Sequence, residues 1–217
     1  MIIQENKSES KQMSFNTKLF YKNYVYIPIP KNAHRLTTQI LFYYNFTEHE
    51  STNILDLQNK LKIIVLRDPL QRWYSGVCQY IKSYTRDLII NSDIVNLLTS
   101  ITLFDIHTRT QTSYLSGIDT DECVFFNLDD KFYENRITYF CDKQFNKTLS
   151  KPGWYGKNTK SLHSEMNEAI KKYMTKEFEN RIIEFYKDDY ELYNSVKFFR
   201  GNSVIKINYN QRKSLLN

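Results

Sequence analysis

Two segments of this 217-residue sequence combine basic and hydroxyl side chains in a way that suits binding of a phosphate or sulfate group. In the first, PKNAHRLTT (residues 30–38), Lys31 supplies a mobile positive charge. In the second, RDPLQRWYS (residues 67–75), Arg67 supplies a guanidinium that binds phosphate through paired hydrogen bonds, and Ser75 supplies a hydroxyl. These residue types suit anion binding at both segments. The alternatives are an ordinary turn with a surface lysine in the first segment and a local ion pair between Arg67 and Asp68 in the second.

An apolar strand precedes each segment and a helix follows it. The runs YVYIPI (24–29) and LKIIVL (61–66) have the aromatic and β-branched composition of strands. Apolar residues at helical spacing follow at 35–44, and Pro69 begins a second helix that ends near residue 84. A loop between a strand and a helix directs backbone N–H groups toward a ligand, and the helix dipole adds about half a positive charge. The local structure therefore favours anion binding at both segments.

Two strand–loop–helix units in succession predict an α/β fold with a parallel β-sheet, whose ligands bind at the carboxyl ends of the strands. The remaining predicted elements are a third apolar strand and three helices, at residues 123–126, 87–103, 164–173 and 176–196. We expect a single three-layer domain over residues 21–200, with helices flanking the sheet. Residues 1–20 are expected to form a flexible polar arm, and residues 201–217 a C-terminal tail.

Composition argues against several classes of function. No glycine occurs between residues 1 and 75, so the chain lacks the GxxxxGK[ST] loop of ATP- and GTP-hydrolysing P-loop enzymes. Its 3 cysteines form no CxxC pair and its 4 histidines form no HExxH motif, so no metal site is expected. An odd number of unpaired cysteines predicts a reduced, intracellular protein.

The charge and hydropathy of the sequence indicate which classes of binding partner to expect. The net charge of +6 and the pI near 9.0 suit a protein that handles polyanions, without identifying the polyanion. No apolar run approaches the roughly 20 residues needed to span a bilayer, so no membrane partner is expected. Positive charge and abundant Tyr and Phe raise the hypothesis of nucleic-acid binding. The aromatic residues fall mainly in apolar strand and helix patterns, which indicate a core, so nucleic acid is not an expected partner.

Together, PKNA after one strand and VLRDPLQRWYSG after the next resemble the nucleotide-binding signature of sulfotransferases, most closely the carbohydrate-type (family 2) branch. In that family the lysine of the first loop binds the 5′-phosphosulfate of 3′-phosphoadenosine 5′-phosphosulfate (PAPS). The Arg of the second segment, and the Ser eight positions later, bind the 3′-phosphate. The resemblance implies these roles for Lys31, Arg67 and Ser75, together with a P-loop-like sheet and PAPS as donor without a metal.

The resemblance extends further along the chain. The segment DIHTRTQ (105–111) is similar to a histidine-containing segment of the family, and YKDDYELY (186–193) is similar to its closing helix. The likeness thus spans about residues 24–196. The first loop departs from the usual PKxxSTS pattern, because His34, Arg35 and Leu36 stand where small and hydroxyl residues are usual.

The resemblance implies a nucleotide site built from the first loop, the second segment and one later loop. In the first loop the candidate binding residues are Lys31, Asn32, Ala33, His34, Arg35 and Thr37. A basic loop with Trp and Tyr, residues 151–160, is expected to fold over the nucleotide and to contribute Lys157; a solvated loop is the alternative.

Sulfuryl transfer is an in-line displacement at sulfur, in which the protein positions the reactants and stabilises charge. Lys31 is the candidate that neutralises charge as the bond to the phosphate breaks. Two histidines are candidates for the base that accepts the proton of the attacking hydroxyl. His107 is favoured because Asp105 is near it in sequence, and His34 is the alternative, since protonated His34 would instead contact the anion.

Two functions follow as hypotheses. The first is a PAPS-dependent sulfotransferase that acts on a hydroxyl of a carbohydrate or another small acceptor. The second is a catalytically degenerate relative that binds the nucleotide or a sulfated glycan without turnover, suggested by the altered residues at 34–36. Eukaryotic members of the branch are typically Golgi proteins with an N-terminal membrane anchor. The polar start of this sequence predicts a cytoplasmic protein of bacterial or viral origin instead.

Overall fold

The computed structural model describes residues 17–50, 54–84, 88–147 and 162–201. The strands within these residues are β1 (Thr17–Tyr21), β2 (Tyr24–Tyr26), β3 (Thr47–Glu50), β4 (Leu61–Leu66) and β5 (Cys123–Asn127). The helices are α1 (His34–Tyr43), α2 (Pro69–Tyr84), α3 (Ser92–Ile101), α4 (Gln111–Tyr114), α5 (Tyr133–Phe145), α6 (Leu162–Lys172), α7 (Lys176–Phe185) and α8 (Lys187–Ser195). Short 3-10 turns at Ile54–Leu57 and Thr120–Glu122 precede β4 and β5.

The strands form one mixed sheet in the order β3-β1-β2-β4-β5. The neighbours β2, β4 and β5 run parallel, whereas β1 is antiparallel to β2 and β3 is antiparallel to β1. The prediction of an α/β fold with a helix-flanked sheet is confirmed. The prediction of a wholly parallel sheet is wrong, because only β2, β4 and β5 are parallel.

The two antiparallel strands were not expected, for different physical reasons. β1 begins at Thr17, inside the segment expected to be a flexible arm, so the sheet starts before residue 21. The tight turn at Lys22, whose φ is 50°, joins β1 directly to β2 and makes the pair antiparallel. All four residues of β3 are exposed at the edge of the sheet, so this strand carries no apolar pattern.

Side chains of β4 alternate between two apolar cores, one on each face of the sheet. Ile63 and Val65 belong to the core that includes residues of α1 and α5. Ile64 and Leu66 belong to the core that includes residues of α4 and α8. Helices therefore cover both faces, and every residue of β4 is buried, as its continuous apolar run predicts for a central strand.

A further core joins α2, α3, α6 and α7. Trp73 is fully buried there, and its indole N–H donates to the carbonyl oxygen of Thr102 at 3.2 Å. Asn91 accepts a hydrogen bond from the Ile94 N–H at 2.9 Å and so caps α3, which begins at Ser92 rather than at residue 87. No helix in the described part of the chain has both the length and the apolar character needed to cross a membrane.

The helix predicted over residues 176–196 is interrupted at Tyr186, which separates α7 from α8. The backbone of Tyr186 (φ −100°, ψ 23°) departs from helical geometry. Its buried hydroxyl donates to the carbonyl oxygen of Thr108, so the break is fixed by a contact far away in sequence. Apolar spacing continues through this position and gives no sign of the interruption.

Gly76 allows α2 to approach the segment that contains His107. A Cβ atom at position 76 would lie 2.6 Å from the carbonyl oxygen of His107 and 2.8 Å from Cγ2 of Thr108. Both distances are shorter than those found between real Cβ atoms and their neighbours. The carbonyl oxygen of His107 belongs to the backbone, which moves less easily than a side chain would. Glycine is therefore required for this packing of α2 against the 105–110 segment.

We expect Gly76→Ala to lower the free energy of unfolding by about 1–3 kcal/mol, although alanine is the better helix former. Urea unfolding of wild type and variant, followed by circular dichroism, measures the change. Ser83→Ala, on the exposed part of the same helix, is the control and should change stability little. Equal or greater stability of Gly76→Ala would show that α2 does not approach His107 this closely.

Candidate functional site

The carboxyl ends of β2 and β4 bring together the two segments that are predicted to bind an anion. Because these strands are parallel neighbours, the loops that follow them leave the same edge of the sheet. Nη1 of Arg67 donates to the carbonyl oxygen of Lys31 at a distance of 3.5 Å. The structure therefore places the Lys31 loop and Arg67 next to each other, as the two strand–loop–helix units predict.

The backbone of the first loop contains two residues in the left-handed conformation. Lys31 (φ 69°) and Ala33 (φ 53°) both adopt the left-handed conformation, on either side of Asn32. Left-handed residues within a loop turn backbone N–H groups toward one concave site, which attracts anions. Ala33 is also the N-cap residue of α1, where its methyl group accepts no hydrogen bond from the first turn. Because that turn contains no acidic residue, no side chain of the turn neutralises the positive end of the helix dipole.

Burial lowers the pKa of Lys31 to about 8. The positive charges of Arg67 and Arg35 act in the same direction. The neighbouring Cys78 thiol and Asp105 carboxylate oppose them. A bound anion would favour the protonated lysine and relieve the repulsion among the three cationic side chains.

Gln111 lies between the two loops and is hydrogen-bonded to both. Its Oε1 accepts from Nδ2 of Asn32 at 2.6 Å and from the backbone N–H of Arg67 at 3.1 Å. Its Nε2 donates to the carbonyl oxygen of Arg67 at 2.9 Å. Nδ2 of Asn32 also donates to the carbonyl oxygen of Val65 in β4 at 2.8 Å. One buried amide thus sets the spacing between the Lys31 loop and Arg67.

Asp189 of α8 holds Gln111 in place. Its buried carboxylate accepts from the backbone N–H groups of Gln111 (2.7 Å) and Thr112 (2.8 Å), and from the Thr112 hydroxyl (2.9 Å). These bonds cap the short helix α4. Both residues lie in segments that the sequence analysis singles out, 105–111 and 186–193. Neither has a predicted role, because their contacts join positions that are distant in sequence.

Arg72 connects α2 to the first loop and to the segment before α4. Its Nε donates to the carbonyl oxygen of Pro30 at 3.0 Å, and its Nη1 donates to the carbonyl oxygen of Arg109. The side chain is fully buried, and this burial lowers its pKa. Arg72 therefore holds the backbone around the site, rather than extending from its surface.

Asp105 and His107 form a hydrogen-bonded pair near Lys31. Nδ1 of His107 lies 2.9 Å from Oδ2 of Asp105, and the His107 backbone N–H donates to Oδ1 at 2.7 Å. Thr108 stabilises the turn, since its hydroxyl accepts from the backbone N–H groups of Phe104 and Asp105. The two contacts with Asp105 hold the imidazole of His107 in a fixed orientation.

His34 lies at the start of α1 in a different environment. Its ring stacks on Tyr26, and its Nδ1 lies 3.3 Å from the hydroxyl of Thr38. Burial, followed by the charge of Arg35, lowers the pKa of His34. The neutral form is therefore favoured at neutral pH, which argues against a protonated His34 as the anion contact.

The remaining predicted site residues differ in how the structure places them. Thr37 is fully buried. Its hydroxyl is hydrogen-bonded to the carbonyl oxygen of Ala33 (2.9 Å) and to the hydroxyl of Tyr133 (2.6 Å), so it points into the protein rather than toward the loop surface. Ser75 is partly exposed on α2, directly before Gly76. Lys157 lies outside the described residues.

The candidate site is defined by charge and backbone geometry. Two surface depressions in the described residues, of about 390 Å³ and 640 Å³, lie beside α5 and between α3 and α7, and neither is lined by Lys31 or Arg67. No group of three or more His, Cys, Asp or Glu residues within the described ranges is arranged to hold a metal ion.

Comparison of the chain with protein-family models, with curated proteins and with solved structures found no match. The likeness to sulfotransferases therefore rests on the sequence segments that carry it.

We expect sulfate to stabilise the protein more below pH 8 than above it. With a pKa of about 8, Lys31 is mostly charged at about pH 7 and mostly neutral at about pH 9.5, whereas sulfate keeps its charge. Thermal unfolding with and without sulfate, at matched ionic strength, measures the gain at each pH. Lys31→Met is the control, which should leave only the general salt effect of sulfate. An equal gain for both proteins would contradict the assignment.

Without added anions, the same lysine predicts a second pH effect. The folded state binds the Lys31 proton more weakly than the unfolded chain, so unfolding takes up a proton in this range. The stability of wild type relative to Lys31→Met should therefore rise between about pH 8 and pH 10.5.

We expect Gln111→Ala to lower the free energy of unfolding by about 1–3 kcal/mol, because it leaves partly buried backbone groups of Arg67 without partners. It should also remove most of the sulfate stabilisation, since the two loops are no longer held together. Gln79→Ala makes the same chemical change on the surface of α2 and is the control. If the two variants behaved alike, Gln111 would not be the connection between the loops.

Proposed function

We propose that this protein binds a PAPS-type nucleotide and transfers its sulfuryl group to a hydroxyl of a carbohydrate or another small acceptor. One observation carries the proposal. Lys31, in a left-handed loop at a helix N-terminus without acidic residues, lies beside Arg67 at the ends of neighbouring parallel strands. The proposed fold relationship is a P-loop-like sheet in which these ends hold the phosphate groups.

The proposed roles follow from the charges of each segment. Lys31 and the first-turn N–H groups of α1 bind the 5′-phosphosulfate, with Ala33, His34 and Arg35 contributing backbone donors. Asn32 shapes the loop instead, because its backbone N–H donates to the carbonyl oxygen of Ile29 at 3.2 Å. Arg67 binds the 3′-phosphate together with Ser75. Nε of Arg67 lies 3.5 Å from Asp129, and Nη1 donates to the carbonyl oxygen of Lys31. These contacts orient the guanidinium, and Nη2 is the nitrogen proposed to bind the phosphate.

The proposed reaction is an in-line displacement. A bond forms from the acceptor oxygen to sulfur, and the bond from sulfur to the phosphate oxygen breaks, so the electron pair leaves on 3′-phosphoadenosine 5′-phosphate (PAP). Lys31 neutralises this developing charge. His107 takes the acceptor proton on the ring nitrogen remote from Asp105. His34 suits this role less well, because burial lowers its pKa.

A specific observation also favours a second function, namely nucleotide binding without turnover. The Thr37 hydroxyl, a candidate donor to the ligand, is bonded to Ala33 and Tyr133 inside the protein. Arg35 and Leu36 precede it where hydroxyl residues are usual. The loop then keeps its charge and backbone donors but has fewer hydroxyl groups to stabilise the transition state.

The nucleotide assignment predicts that PAP stabilises the protein more than AMP does, because only PAP carries a 3′-phosphate for Arg67. Arg67→Ala should weaken PAP binding about 10- to 100-fold and leave AMP binding nearly unchanged. Isothermal titration calorimetry measures both affinities. Lys31→Met should weaken both nucleotides, since both carry a 5′-phosphate.

Arg136→Ala is a matched control for Arg67→Ala. The Arg136 side chain is 23% exposed and pairs with Asp130, whereas the Arg67 side chain is 24% exposed and pairs with Asp129. Equal affinity for PAP and AMP, or an equal loss in the two arginine variants, would reject the nucleotide site. Transfer of labelled sulfate from PAPS to glycans, and its loss in His107→Ala, would then separate an enzyme from a binding protein.

A further inference from the structure

Helix α5 carries two aromatic side chains on the surface rather than in a core. Phe132, the N-cap residue, is 48% exposed, and Tyr139 is 43% exposed. The two positions are two helical turns apart and so share one face of the helix, with about 10 Å between them. Both rings line the depression of about 390 Å³ beside α5, whose volume lies within the range of small-ligand sites.

Two arginines line the same depression and differ in their partners. Nε of Arg136 lies 2.7 Å from Oδ2 of Asp130, so a carboxylate offsets much of its charge. Arg200 is exposed and takes part in none of the ion pairs between described residues. Its guanidinium is therefore available to an anion in the depression.

A lysine lies beside each ring at the rim of the depression. The ammonium group of Lys131 is 4.8 Å from the centroid of the Phe132 ring, and that of Lys143 is 5.5 Å from the centroid of the Tyr139 ring. Within the described ranges, neither lysine has a carboxylate partner within 4 Å. Rings and cations thus occur together twice along this surface. We call it the α5 face, and it consists of Lys131, Phe132, Arg136, Tyr139, Lys143 and Arg200.

The acidic residues within α5 lie off this face. Glu134 is two positions from both Phe132 and Arg136, a spacing that places it on another side of the helix. Asp142 accepts a hydrogen bond from the hydroxyl of Tyr44 at 2.6 Å, on the side packed against the end of α1. The α5 face therefore keeps an excess of positive charge.

Exposed rings together with uncompensated cations suit single-stranded nucleic acid. Unpaired bases stack on aromatic side chains, and phosphates bind Lys and Arg without need for a particular sequence. The charge of the face excludes a cationic ligand, and a double helix keeps its bases stacked on one another. A free mononucleotide has one base and would use one ring, whereas the α5 face presents two rings with a lysine beside each. The face therefore fits a strand of several nucleotides.

We propose that the α5 face binds single-stranded nucleic acid, with bases stacked on its two rings and phosphates bound to its cations. Most aromatic residues of the chain are core residues, and these two exposed rings are the basis for a different role. The face is separate from the candidate site, because neither Lys31 nor Arg67 lines the depression. The proposal is therefore independent of sulfuryl transfer.

The test measures fluorescence anisotropy of a labelled oligothymidylate of about 15 nucleotides with the full chain at low salt. We expect binding, and we expect Tyr139→Ala to weaken it about tenfold, because a base loses its stacking partner. Tyr139→Phe keeps the ring and should retain most of the affinity. Tyr84→Ala, at a tyrosine on α2 that is 69% exposed, is the control and should bind as wild type does.

The salt dependence of the same binding tests the phosphate contacts. Arg200→Gln should reduce the slope of log affinity against log salt by about 0.7, the value for one phosphate of a single strand. Lys176→Gln removes the same charge from α7, where the side chain is 76% exposed, and should leave the slope unchanged.

The remaining measurements distinguish other ligands. No binding of the oligonucleotide, or equal affinity of Tyr139→Ala and Tyr84→Ala, would overturn the proposal. Equally tight binding of a DNA duplex, or of heparin, would overturn it in favour of a general polyanion surface. Binding of thymidine monophosphate as tight as that of the oligonucleotide would overturn it in favour of a free-nucleotide site. PAP affinity should be the same in wild type and Tyr139→Ala, and a loss would show that the two sites are not separate.

Discussion

The buried side chain of Gln111 is the contact on which the candidate site depends. Two neighbouring parallel strands deliver the Lys31 loop and Arg67 to the same edge of the sheet, but strand pairing alone does not fix the loops beyond it. Gln111 bonds to Asn32 in one loop and to both backbone groups of Arg67 in the other. Because the amide is fully buried, each of these bonds is costly to lose, and the spacing of the two cationic residues is held firmly.

The Gln111 hydrogen bonds stabilise a loop whose backbone conformation and buried charge are energetically unfavourable. The left-handed conformations of Lys31 and Ala33 cost about 1–2 kcal/mol each, and Lys31 is partly removed from water beside two arginines. The Arg72 bond to the Pro30 carbonyl oxygen and the Asn32 bonds to its neighbours offset this cost. Strained backbone beside several cationic side chains is more common at binding sites than in simple connections between a strand and a helix.

The sequence predicts the strands and helices whose bounds are set by neighbouring residues in the chain. The bounds of β4 and α2 agree with prediction because a continuous apolar run marks a central strand and Pro69 marks a helix start. The edge strand β3 has no apolar face, and the break at Tyr186 depends on Thr108, so neither leaves a local pattern. For the site, proximity of the Lys31 loop and Arg67 follows from parallel strands. The inward Thr37 hydroxyl and the role of Gln111 depend on tertiary contacts.

Residues of the carboxyl-terminal helices hold in place the segment that contains Asp105, His107 and Gln111. Asp189 binds the backbone at Gln111 and Thr112, and the Tyr186 hydroxyl binds the Thr108 carbonyl oxygen. During synthesis, the strands and the loops that carry Lys31 and Arg67 therefore leave the ribosome before the residues of α8 that hold them in place. Chain order makes assembly of the site a late step of folding, completed only when α8 docks on the sheet.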